Sequence, residues 1–223
     1  MPDSPLKYSF FKRNGLTLFF LALFIITLVA QAFTGWKQNN QEIQEKGGQA
    51  LTFGAYLGSG HFFSATFENF QSEFLQMGMY VLCTVGLRQI GSAESKSMEG
   101  EEEVDREPKP GPDAPFAVRK GGWLLWVYSN SLSLCFLGLF LLSWAGHLYG
   151  SFTNHNDEQM LMHKPQEDLL TYLSEPEFWF ETFQNWQSEF LSIVSIVFLT
   201  IYLRQKGSPE SKPVDAPHME TGK

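Results

Sequence analysis

Two nine-residue stretches carry the side chains best suited to chemistry: FENFQSEFL at 67–75 and FQNWQSEFL at 183–191. Asn69, Gln71, Ser72 and Glu73 stand at the mouth of one apolar run, and Asn185, Gln187, Ser188 and Glu189 at the mouth of another. An ionisable side chain at the lip of a bilayer is costly and turns inward, toward partners or an ion path. Gln31 and His147 occupy comparable depths in two further apolar runs. Three chemistries fit these residue types. The polar groups can hydrogen-bond neighbouring helices and specify their packing. Glu73 and Glu189 can form a paired proton or cation site. His147 and Glu189 can join His61, His155 or His163 around a metal, but these histidines lack a tight ligand spacing. The packing role is therefore expected, with no metal and no cofactor. No nucleophile motif, phosphate loop or nucleotide fingerprint is present, so the chain is not expected to be an enzyme. A net charge of −8 disfavours nucleic acid as a partner.

The elements that must position these residues are apolar runs hidden by an unremarkable mean hydropathy of −0.15. Leu16–Phe33 is interrupted only by Thr17, Thr27 and Gln31, and Leu132–Tyr149 by Ser133, Ser143 and His147. Runs 74–87 and 190–203 are charge-free but short. A spanning helix needs about 20 mostly apolar residues, so the latter two must take in their polar lips. Four spans are predicted, near 15–34, 69–88, 131–150 and 185–204. The first reads as a span rather than a cleaved leader, since the run is long and no small-x-small site clearly follows it. Cys83 and Cys135 lie inside apolar runs and read as small hydrophobes.

Of the 16 Lys and Arg, only Lys37, Lys46 and Lys164 fall in the loops after the first and third spans. The positive-inside rule then puts both termini and the central loop in the cytoplasm. Residues 92–115 are charged, Pro-rich and lack aromatics, and read as a flexible linker; 208–223 read as a similar tail. Arg88 and Arg204 close the second and fourth spans and are expected to anchor them at the interface.

The two halves align at one constant offset of 116. Residues 67–96 and 183–212 share 17 of 30 positions, and NGLTLFFLALF (14–24) matches NSLSLCFLGLF (130–140) at the same offset. One offset held across the chain predicts a tandem duplication of a two-span hairpin, 1–91 and 116–207. Because each copy has an even number of spans, the repeats are parallel. Asn14 and Asn130 are expected to cap the first and third spans. Gly91 and Gly207 are expected as C-cap glycines, and Ser174 with Glu177 as a capping box. The helices of spans two and four are expected to begin outside the membrane. Their stripes Glu73, Gln76, Tyr80, Thr84 and Glu189, Ser192, Ile196, Thr200 should face the bundle, where Glu73, Glu189, Gln31 and His147 converge near a pseudo-twofold axis.

The NGLTL and NSLSL pair, the two QSEFL copies and the GSAESK and GSPESK endings resemble an uncharacterised bacterial family of duplicated four-span membrane proteins. That resemblance implies a fold and a bacterial setting, and no activity. The expected molecule is an all-α, four-helix transmembrane bundle of two parallel-repeat hairpins with helical extensions on the outer face. Its expected place is the inner membrane, multi-pass, as a structural or interaction component. Its expected partners are the lipid bilayer and a second copy or another membrane protein.

Overall fold

The computed structural model describes residues 8–222, and among them every regular element is helical. In chain order the α-helices are α1 (Phe10–Arg13), α2 (Gly15–Glu45), α3 (Phe53–Tyr56), α4 (Gly60–Gly86), α5 (Phe116–Lys120), α6 (Gly122–Ser129), α7 (Ser131–Leu161), α8 (Leu169–Ser174) and α9 (Pro176–Tyr202), with a short 3-10 turn at Glu103–Asp105. The four long helices come in two length-matched pairs. α2 and α7 have 31 residues each, starting at 15 and 131; α4 and α9 have 27 each, starting at 60 and 176. α2 and α7 are long and apolar enough to cross a membrane, with windows of mean hydropathy 2.4 and 1.6. α4 and α9, whose lips are polar, do not reach that measure.

Three of the expected helix starts are corrected. Asn14 and Asn130 do precede α2 and α7, but their amides turn backward. Each Nδ2 donates to the last turn of the preceding helix, to Phe10 O and Trp126 O, at 2.8 Å. At the start of α9 the capping box does not form. Glu175 is the N-cap residue with Pro176 following it, while Ser174 Oγ donates to Thr171 O at 2.6 Å. Proline at the first helical position loses nothing, because its missing N–H would have no intrahelical partner there.

Gly91 and Gly207 lie beyond the helices, at φ +84° and +85°, and so turn the chain rather than cap α4 and α9. The helix ends are closed by arginine instead. Arg88 Nη1 reaches Val85 O and Leu87 O at 3.1 Å; Arg204 Nη1 reaches Thr200 O at 3.0, Ile201 O at 3.2 and Leu203 O at 2.8 Å. The last carbonyls of a helix have no N–H of their own, and a guanidinium meets both that need and the negative helix end.

The motif that follows is also folded where flexible chain was expected. Ser92 Oγ accepts from Glu94 N, and Ser208 Oγ from Glu210 N, both at 3.1 Å. Ser95 Oγ accepts from Gln89 N, and Ser211 Oγ from Gln205 N, both at 2.9 Å. Gly-Ser-x-Glu-Ser-Lys is thus one turn made twice, its serines replacing backbone partners. Ser92 is buried against Thr200, with the two hydroxyls 3.1 Å apart. Lys212 is buried in a cage of carbonyls, Pro217 O, His218 O and Glu220 O, at 3.2, 2.8 and 2.7 Å. The linker and the tail therefore begin later than positions 92 and 208. Further along, Lys96 Nζ meets Asp105 Oδ1 at 2.5 Å and holds that carboxyl below the usual carboxylate range.

The chain divides into two compact units. The first comprises Met1–Ser64 and Tyr149–Asp168. Here Asn40 clamps a loop by its amide, Nδ2 donating to Leu51 O at 2.9 Å and Oδ1 accepting from Leu51 N at 2.7 Å. Asn156 clamps Glu167 the same way, at 3.2 and 2.8 Å. Buried Tyr56 sets its hydroxyl 3.1 Å from His61 Nδ1, and burial pushes that imidazole below its ordinary range against the pull of Glu42 and Glu158. Gly150 brings α7 into backbone contact with α4: a Cβ there would lie 2.8 Å from Phe63 C and closer still to Ser64 N. The second unit, Ala65–Leu148 and Leu169–Lys223, holds most of α4, the first half of α7, and α9.

Candidate functional site

Within the second unit the polar lips of α4 and α9 are built alike but placed differently. Asn69 Nδ2 donates to Ala65 O at 2.8 Å, and Asn185 Nδ2 to Glu181 O at 2.9 Å. Ser72 Oγ donates to Asn69 O and Ser188 Oγ to Asn185 O, at 2.9 and 2.8 Å. These side chains spend themselves on their own helix, as short polar side chains do when the surroundings offer few other partners. The equivalence ends there. Gln71 and Ser72 are buried, whereas Gln187, Ser188 and Glu73 are exposed and Glu189 is half-buried. Gln76 ties the two helices by donating Nε2 to Glu189 O at 2.9 Å.

The buried polar centre takes Gln71 and His147 from the expected set and adds two carboxylates from outside it. His147 is fully buried on α7. Its Nδ1 lies 2.9 Å from Gln71 Nε2, and its Nε2 lies 3.3 Å from Glu181 Oε2. Phe178 stacks on the imidazole with centroids 5.0 Å apart, and Trp144 meets Phe178 edge-on. Glu68 completes the group; His147, Glu68 and Glu181 each offer one ligand atom, and these lie within 4.8 Å of one another. Asn185 Nδ2 also donates to Glu68. Gly146 makes the room beside this cluster, since a Cβ there would lie 2.8 Å from the Phe67 ring.

Gln31, the expected counterpart of His147, lies half-buried on α2 in the first unit, its carbonyl accepting from Thr34 Oγ1 at 3.3 Å. Within the second unit the buried polar centre is thus Glu68, Gln71, His147 and Glu181, with Glu73 exposed outside it. The missed pair had a signal in the sequence. The positions 116 away from Glu68, His147 and Glu181 are Gln184, Gln31 and Ala65, so all three residues break the internal match. Glu68 and Gln71 also share a helix face at i, i+3, a turn ahead of the stripe beginning at Glu73.

These features define an all-helical chain with two helices long and apolar enough to cross a membrane and a buried carboxylate–imidazole cluster. The chain belongs to the family described as a domain of unknown function, DUF6766, whose model matches residues 7–223. No curated protein and no solved structure matches it.

Proposed function

We propose that this protein is a non-enzymatic component of a bacterial inner membrane, a four-span bundle of two duplicated parallel hairpins with both termini cytoplasmic. The exposed apolar faces of the long helices support the membrane setting. Phe19, Phe20, Ile26 and Val29 on α2, and Leu137, Leu141 and Leu142 on α7, lie open. A core helix of a soluble domain buries such residues, and lipid covers them without cost. Matched helix lengths at a spacing of 116, paired Arg caps and paired serine turns support the duplication. α4 and α9 enter as spans two and four once their back-bonded lips are counted as part of the helix.

The observation that carries the packing role is where the lip side chains go. Gln71 is engaged with His147 on α7, and Gln76 with the α9 backbone at Glu189. The alternative, ion movement through Glu73 and Glu189, has less support, because Glu73 is exposed rather than enclosed with Glu189 in a buried site. Reconstituted protein is expected to give proton and cation flux equal to empty vesicles, before and after Glu73→Gln/Glu189→Gln. In detergent, Gln76→Leu is expected to lower the stability by about 1 kcal/mol, for one interhelical hydrogen bond, read as a fall in melting temperature. Flux above the empty-vesicle level that the double variant abolishes would sink the packing account.

A further inference from the structure

We propose that Glu68, His147 and Glu181 form a binding site for one divalent transition-metal cation of the zinc class, joining α4, α7 and α9. The three ligand atoms lie within 4.8 Å of one another. The His147 Nε2 to Glu181 Oε2 separation of 3.3 Å already equals the edge of a zinc tetrahedron, about 3.3 Å for bonds of about 2.0–2.1 Å. One imidazole N–H can serve only one carboxylate, and here two carboxylates crowd one imidazole, Glu181 at Nε2 and Glu68 within 4.8 Å. A divalent cation serves both and offsets their mutual repulsion.

Gln71 supplies an independent sign. It is fully buried, and its Oε1 has no hydrogen-bond partner although the other arm of the same amide sits on His147 Nδ1. Interchanging the amide oxygen and nitrogen is a small rotation of similar shape. It gives Gln71 Oε1 the His147 Nδ1–H to accept and leaves the lone pair of His147 Nε2 facing Glu181. That is the arrangement by which proteins orient a metal-binding histidine, the far ring N–H held by an oxygen. Phe178 fixes the ring from its face. The Glu181 side chain is 32% exposed, which leaves a route in for the ion and room for a water as fourth ligand. An imidazole nitrogen among the donors selects zinc-like ions over calcium or magnesium, which take oxygen sets.

The residues 116 positions away, Gln184, Gln31 and Ala65, offer no comparable donor set. The site therefore belongs to one side of the molecule only, and those positions serve as internal controls. The inference does not depend on the number of spans, and its failure leaves the packing account standing.

The test uses the whole chain in detergent, its affinity tag removed, stripped with chelator and titrated with zinc chloride. One zinc per chain is expected, together with a rise in melting temperature. Glu181→Gln and Glu68→Gln are each expected to weaken binding at least tenfold, while Gln184→Ala leaves it unchanged. Cobalt(II) added to the unaltered chain should give visible absorption that zinc bleaches, a readout that needs no variant to fold. Absence of zinc binding and of the cobalt bands would overturn the proposal, as would zinc binding undiminished in a folded His147→Gln variant.

Discussion

Gly150→Ala is expected to destabilise the protein by about 1–3 kcal/mol, the range for inserting a methyl group where the packing has no space for it. The sign is decided by two opposed effects. In a helix interior alanine is favoured over glycine by about 1 kcal/mol. At Gly150 that gain is outweighed, because the new Cβ meets main chain rather than the end of a flexible side chain: Ser64 N and Phe63 C of α4. Backbone cannot swing aside, so the two helices must separate. Gly138, on the same helix, has nothing within 4 Å of its Cβ position, so Gly138→Ala should be neutral or stabilising. Thermal melting of the two variants in one detergent checks both signs. A Gly150→Ala protein as stable as the parent would show that α4 and α7 do not touch there. Gly146 stands one turn earlier on α7, giving the small-xxx-small spacing that lets membrane helices approach closely.

Phe178→Ala is expected to cost more, about 3–5 kcal/mol, the usual loss for a buried phenylalanine whose space cannot collapse. Phe178 is fully buried, stacked on His147 and ringed by Trp144, Tyr172 and Trp179. Its removal opens a cavity beside a buried imidazole, and both the cavity and the loosened polar group act in the same direction. The matching residue of the first half, Phe62, is only half-buried and packs on Tyr56 and Phe63. Phe62→Ala should therefore lose clearly less, and melting of the two variants side by side measures the difference. Equal losses would mean that the two halves build equivalent centres, contrary to the arrangement described here.

That inequality also marks what could be read from the sequence. The long helices were legible because composition alone reveals an apolar run, and the offset of 116 made each half a check on the other. Their true lengths were less so. α2 and α7 continue to Glu45 and Leu161, well past the apolar stretch, on polar residues whose helicity comes from contacts such as Asn40 to Leu51 and Asn156 to Glu167. Those two asparagines are themselves 116 apart. Arg88 and Arg204 were recognisable as paired, but their carbonyl contacts depend on where α4 and α9 stop, which local pattern does not determine. The polar centre was half legible. His147 and Gln71 stood out as polar residues in or beside apolar text; Glu68 and Glu181 looked like ordinary outer-face charges until the fold brought them to one imidazole. Repetition points to Glu73 and Glu189, whereas three of the four residues of the buried cluster, Glu68, His147 and Glu181, stand where repetition fails.

The central claim is that four helices cross the membrane, with the outer loops on one side and the termini and central segment on the other. Single cysteines introduced at Gly48, Lys164, Glu101 and Ser208, in a chain with Cys83 and Cys135 replaced by serine, test it directly. Labelling intact cells or spheroplasts with an impermeant maleimide should mark positions 48 and 164 and spare 101 and 208 until the membrane is opened. Labelling of position 101 or 208 in sealed cells, or protection of 48 and 164, would contradict the four-span account.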